Sequence, residues 1–221
     1  MSLNLINGLF YAEFKLENID NEAVINEVTD IYLNEDKKIV DELDCSRPLR
    51  ERDEVDIQHT FYEDCPVTNE TKQKFEAEIK KITDNNFGIN SYKLEEIWGH
   101  FTHPMGYTMV HDHAGGCDLN VETQLSWVYY PHQPENAGNI NFIATVNESR
   151  ICHEVPIKSG HLYLFSSSLL HFVPRNASGK NRISISGNLI AEEQFTAVVR
   201  EDDEYTNNIW YFIGRNEKLL R

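Results

Sequence analysis

Tyr107-Thr108-Met109-Val110-His111-Asp112-His113 is a short run closed off by turn signals, His103-Pro104-Met105-Gly106 before it and Ala114-Gly115-Gly116 after it. Such a run reads as a β-strand. Regular alternation puts Tyr107, Met109, His111 and His113 on one face and Thr108, Val110 and Asp112 on the other. The two imidazoles of the His-x-His triplet then stand side by side. Imidazole is the commonest metal ligand and suits Fe, Zn, Cu and Ni. A third imidazole from a separate strand would complete one face of a metal and leave the other open for chemistry.

The same texture extends on both sides of this strand. From Tyr92 onward, short runs rich in β-branched and aromatic residues follow one another between turn signals. They predict strands near 92–101, 106–113, 124–130, 139–144, 161–166, 169–173 and 182–190. Seven short strands at this spacing indicate an all-β sandwich or barrel rather than βαβ units. Upstream, 9–16 alternates as a strand. Asp20 then reads as the N-cap of a helix carrying Val24, Val28, Ile31 and Tyr32 at helical spacing. Residues 35–58 are charged and without period, the pattern of a surface loop. Thr68 caps a second helix whose buried face is Phe75, Ile79 and Ile82, ended by Asn85-Asn86-Phe87-Gly88. The expected organisation is a single domain: a strand-helix-loop-helix cover over 1–91, a β core over 92–190, and a tail over 191–221. In that tail Phe195–Val199 reads as a strand, and Ile209-Trp210-Tyr211-Phe212 fits core packing as well as an oligomer interface.

With 40% hydrophobic and 11% aromatic residues among 221, the chain has ample material for a core. Its formal net charge of −16 repels phosphate backbones and anionic membranes, so no nucleic-acid or membrane partner is expected. Cys45, Cys65, Cys117 and Cys152 show no Cys-x-x-Cys pair and are expected to be reduced. The first residues carry no signal-peptide pattern and no run is long enough to span a membrane, so a cytoplasmic location is expected.

The third imidazole is His171, in Leu169-Leu170-His171-Phe172-Val173, just after the strand Leu162–Phe165. His59, His100, His103, His132, His153 and His161 lack comparable spacing and read as structural or surface residues. Arg182 opens the last long strand and shares a face with Ser184, Ser186 and Asn188. An Arg so placed, with a hydroxyl two residues on, can hold a carboxylate by a forked, charge-assisted contact. It is equally the pattern of an Arg on a half-exposed strand.

Taken in order, His111-x-His113, Gln124–Tyr130, Gly138–Phe142, Gly160–Phe165, His171 and Arg182-x-Ser184 resemble the Fe(II)/2-oxoglutarate-dependent oxygenases, within them the prolyl-hydroxylase-like and small bacterial and phage groups. The resemblance runs from Trp98 to Ile190, under half the chain. It implies a mainly β fold, a double-stranded β-helix (jelly roll), here with N-terminal covering helices. It implies Fe(II) on His111, His113 and His171, with 2-oxoglutarate and O2 as cosubstrates. Arg182, which follows His171 by eleven positions, would grip the far carboxylate of 2-oxoglutarate with Ser184 and Tyr130. The implied reaction is hydroxylation of a small-molecule or peptide substrate with release of succinate and CO2. Met109, Val128 and Phe142 are expected to supply an apolar lining.

One departure from the family pattern stands out. Its second ligand is usually Asp or Glu, and here the position is His113. Asp112 would replace His113 only if a bulge turned it inward, and Asp118 or Glu122 lie a few residues on. A cupin-like enzyme binding metal through three histidines without 2-oxoglutarate has the same ligand set, and Arg182-x-Ser184 is what separates the two. A non-catalytic jelly-roll binding module would hold no metal.

Overall fold

Alternating and fully apolar runs become strands wherever a second layer can bury them, and here there are two such layers. In the computed structural model, residues 3–6, 9–42, 67–88, 92–113, 125–146 and 149–191 are described. The strands are β1 (Leu3–Ile6), β2 (Leu9–Lys15), β3 (Tyr92–Thr102), β4 (Thr108–His111), β5 (Leu125–His132), β6 (Ile140–Val146), β7 (Ser149–Val155), β8 (His161–Ser166), β9 (Leu170–Val173) and β10 (Arg182–Ala191). Among the described residues two helices, α1 (Asn21–Glu42) and α2 (Asn69–Phe87), lie between β2 and β3 in sequence. The larger sheet has the order β1-β2-β8-β5-β10-β3 and the smaller β4-β9-β6-β7. Every pairing is antiparallel. From β3 to β10 the chain crosses back and forth between the sheets, the winding of a jelly roll.

β5 shows how the layers stack. It is buried at every position from Leu125 to Pro131, because both of its faces are covered. Val128 and Tyr130 join Phe142, Tyr163 and Phe165 in one hydrophobic cluster. Trp127 and Tyr129, pointing the other way, join Val24, Val28, Phe75 and Ile79 from the helices. Phe75 stacks on Trp127 with ring centroids 5.4 Å apart and meets Tyr129 edge-on at 5.2 Å. Both helix starts follow the capping signals: Asp20 Oδ1 accepts from the Glu22 and Ala23 amides, and Thr68 Oγ1 from the Thr71 amide. The Glu27 carboxylate of α1 accepts from the Thr68 amide at 2.7 Å, tying the two helices together. Gly88, at φ 112°, ends α2 where an L side chain would be strained.

Three expectations need correction. Residues 35–42 are not loop: α1 continues to Glu42, since Glu and Lys sustain a helix without apolar period; 43–58 lies outside the described residues. β7 was not foreseen at all. It is a sheet edge, exposed from Ser149 to Glu154, so no buried face writes an alternation into its sequence. The 106–113 strand shortens to Thr108–His111, with a register irregularity inside it. Cys152 is a free thiol, whereas Cys45, Cys65, Cys117 and the tail segments Phe195–Val199 and Ile209–Phe212 fall outside the described residues. Among the described residues no helix is long and apolar enough to cross a membrane.

Gly187 on β10 has no room for a side chain. A Cβ there would lie 2.4 Å from the Glu96 carbonyl oxygen and 2.6 Å from the Trp127 ring. Gly187→Ala is therefore expected to destabilise the fold by ~1–3 kcal/mol or more, read as a lower urea midpoint. An unchanged midpoint would mean that the sheet yields at this position.

Candidate metal centre and anion pocket

His111 is the last residue of β4, and the β4–β9 register pairs it directly with His171. Cross-strand pairing brings the two imidazoles to a centroid separation of 4.2 Å. His113 lies two residues past the end of β4, held by its backbone amide donating to the Ser167 carbonyl at 2.9 Å. Its ring sits 5.0 Å from that of His111 and 5.3 Å from that of His171. One ligand atom from each of the three lies within 4.8 Å of the others.

The protonation of this group suits a metal. His111 Nδ1 is 2.8 Å from the Met109 carbonyl oxygen and His171 Nδ1 is 2.9 Å from that of Leu169. A carbonyl only accepts, so both Nδ1 atoms carry the proton and donate. In the neutral form each ring then has Nε2 as its lone-pair nitrogen, the tautomer-fixing device common behind metal-bound histidines. Burial, with His111 close by, lowers the His113 pKa to about 4, and burial drives that of His171 well below its ordinary value. Phe165 packs edge-on against His171 at 4.7 Å, and Phe142 stands behind it at 6.3 Å.

The alternation expected along Tyr107–His113 fails at one point. Thr108 pairs with Val173 and His111 with His171, so three steps on β4 match two on β9. One extra residue is a β-bulge. It turns Thr108 and His111 inward and leaves Met109 54% and Val110 52% exposed. Met109 is therefore not part of the lining. Asp112 is exposed and stays outside the three-histidine group, while Asp118 and Glu122 lie outside the described residues.

Arg182, Ser184 and Tyr130 border the same cavity as the three histidines. Arg182 is 2% exposed. Its Nη1 donates to the carbonyl oxygens of Ala137 and Pro174, and among the described residues no carboxylate pairs with it. Burial lowers its pKa. A buried cation held only by carbonyl dipoles is costly unless an anion joins it. Tyr130, also buried, is pushed up to about 12 by desolvation, with Arg182 working the other way, so its phenol remains a donor. Gly138, at φ 86°, lets its turn run close under this group: a Cβ there would lie 2.8 Å from the Pro174 oxygen and 3.4 Å from Arg182 Nη1.

Three polar residues of the lining have no site role in the sequence reading. His100, taken for a structural histidine, borders the cavity and faces Ser184 across the β3–β10 pairing. Only the strand register could have shown this. Burial, with Arg182 and His111 nearby, lowers its pKa to about 3. Ser186 was legible, being two residues beyond Ser184 on the same face, but carried no assigned role. Thr108 was hidden by the bulge. Val128 lines the cavity as expected, whereas Phe142 backs His171 instead.

No protein-family model matches the sequence, and no curated protein does. Solved structures do. The non-heme alpha ketoglutarate dependent carbocyclase from nogalamycin biosynthesis matches with TM-score 0.51 and 13% identity, over 81% of this chain and 78% of that one. The non-heme alpha ketoglutarate dependent epimerase from the same biosynthesis matches with TM-score 0.51 and 15% identity, over 87% and 83%. An oxidoreductase of the 2OG-Fe(II) oxygenase family from Burkholderia pseudomallei matches 56% of this chain at TM-score 0.45 and 14% identity, the chain spanning 60% of its length. At such identities the likeness to the carbocyclase and the epimerase establishes the fold alone, the one these two non-heme alpha ketoglutarate dependent enzymes share.

Proposed function

We propose that this protein is an Fe(II)- and 2-oxoglutarate-dependent oxygenase of the hydroxylase type, acting on a small-molecule or peptide substrate. The observation that carries the proposal is Arg182, a buried cation without a carboxylate partner among the described residues, in one cavity with three clustered histidines. Nothing in a cupin-like three-histidine enzyme requires that cation.

His111, His113 and His171 would hold the iron through their lone-pair nitrogens, and imidazole donors suit Fe(II) as they suit Zn(II). Iron, 2-oxoglutarate and O2 together supply the oxidising power, with succinate and CO2 as by-products. The chain's own residues bind and orient. Arg182 offers the guanidinium nitrogens not engaged with Ala137 and Pro174 to the far carboxylate of 2-oxoglutarate. Ser184 and the protonated Tyr130 phenol add hydroxyl donors to the same group. Val128, Ile140 and Phe165 give the cavity apolar walls that exclude water. The jelly-roll strands of 92–190 form the catalytic core and the helices of 1–91 cover it, in a cytoplasmic protein. That the fold-related carbocyclase and epimerase are alpha ketoglutarate dependent supports the cosubstrate and also shows how widely the outcome varies on this scaffold.

The test is optical. Adding 2-oxoglutarate to the Fe(II)-loaded protein without oxygen should raise the weak visible charge-transfer band of 2-oxo acid chelation. Succinate and N-oxalylglycine should compete. Iron bound stoichiometrically with no band would leave the cupin-like reading, which the all-histidine ligand set favours.

A further inference from the structure

The cavity is charged opposite to the molecule around it. In a chain of net charge −16, the cavity lining contains Arg182 and no aspartate or glutamate among the described residues. An imidazole binds a metal as a neutral ligand, and burial of His100 disfavours its charged form.

A metal site has to be counted with the ion's own charge. A divalent ion and Arg182 bring three positive charges, and the 2-oxoglutarate dianion cancels two. In the common centre of two histidines and one carboxylate, the protein's carboxylate cancels the last. With His113 in that place, nothing among the described residues cancels the last positive charge, and an uncompensated charge in a buried site is far costlier than in water. The wall also carries donors that the 2-oxoglutarate anchor does not use. Thr108, turned inward by the bulge, and Ser186 each add a hydroxyl with no hydrogen-bond partner among the described residues.

We propose that the missing negative charge arrives with the primary substrate: the cavity takes a carboxylate-bearing substrate, its anionic group seated near the three histidines in a cavity that the Thr108 and Ser186 hydroxyls also line. A carboxylate fits a wall that carries hydroxyl donors better than a monatomic anion does, because each of its two oxygens can accept a hydrogen bond. This deepens, and rests on, the oxygenase reading.

The experiment uses the full chain loaded with Fe(II) and 2-oxoglutarate without oxygen. The visible band is recorded first, and its absence counts against the oxygenase reading alone. With the band present, acetate, its neutral isostere acetamide, and chloride are titrated, followed by the band's shift and by calorimetry. Acetate should bind at least about tenfold more tightly than acetamide, since one unit charge in such a site is worth more than that factor. It should also bind more tightly than chloride. His113→Asp, which returns a carboxylate to the centre, should weaken acetate by about tenfold or more while keeping the band.

Equal binding of acetate and acetamide overturns the proposal, as does acetate affinity unchanged by His113→Asp. Chloride binding more tightly than acetate makes the counter-charge an inorganic ion and removes the substrate from it. Acetate binding that appears only after Asp118→Asn or Glu122→Gln identifies a carboxylate of the chain as the counter-charge and likewise overturns it. Should His113→Asp fail to hold iron, the comparison of acetate with acetamide in the unaltered protein remains decisive.

Discussion

Arg182→Ala is expected to cost the Fe(II) protein nearly all of its 2-oxoglutarate affinity. Removing one partner of a buried charge pair typically costs ~2–5 kcal/mol, or roughly one and a half to three and a half decades in Kd. The expected size follows from where the guanidinium sits. It is buried and held by the Ala137 and Pro174 carbonyls, so it is already aimed and loses little freedom when an anion arrives. Without it, a carboxylate would enter a pocket that offers hydroxyls, Ser184 and Tyr130 among them, but no side-chain cation among the described residues. Arg182→Lys should recover part of the loss, because an ammonium brings the charge but not the planar fork. The measurement is the 2-oxoglutarate dependence of the charge-transfer band, with melting temperature recorded alongside. In the unaltered protein 2-oxoglutarate should raise the Tm, since ligand bound only by the folded state stabilises it; in Arg182→Ala that rise should vanish. If Arg182→Ala lowers the ligand-free Tm and leaves 2-oxoglutarate affinity intact, Arg182 is a structural residue and the anchor lies elsewhere.

Arg182 also shows what a sequence can and cannot reveal about such a site. Its place at the mouth of a strand, two residues from Ser184 and eleven from His171, is legible in the chain order. Its burial is not. Burial depends on the turn at Gly138 running beneath it and on Pro174 turning a carbonyl toward it. His111 and His171 were legible as ligand candidates from the His-x-His triplet and the order of residues along the chain, and the register then pairs them directly. His100 was not, because a histidine enters a site from a neighbouring strand through register, which no local pattern encodes. The bulge in β4 defeated strict alternation for the same reason: one extra residue reverses the facing of those before it. β7, exposed along most of its length, wrote no pattern to read. The helices and the doubly covered β5 were easier, since caps and long apolar runs are local signals.

The largest effect of all should come from the ligands. His111→Ala or His171→Ala is expected to weaken Fe(II) binding by at least about a hundredfold, more than the 10–100-fold typical of losing a supporting residue behind a ligand. The two are not equivalent in stability. His171 is 6% exposed and packs on Phe165, so His171→Ala should also open a void and lower the Tm. His111 is only partly buried, so His111→Ala should lose metal with a smaller thermal penalty. His113 separates the possibilities most sharply. It stands past the end of β4, where the chain has left the ladder, and only its ring, not its backbone hydrogen bond to Ser167, is changed by substitution. His113→Asp should keep iron, because a carboxylate is an equally good donor for Fe(II), while His113→Ala should lose it. Iron content per chain after anaerobic loading and desalting decides each case. If Asp112→Ala strips the iron while His113→Ala does not, the exposed Asp112 must turn inward on binding metal. The ligand set would then be two histidines and a carboxylate, and no positive charge would be left over for a substrate to cancel.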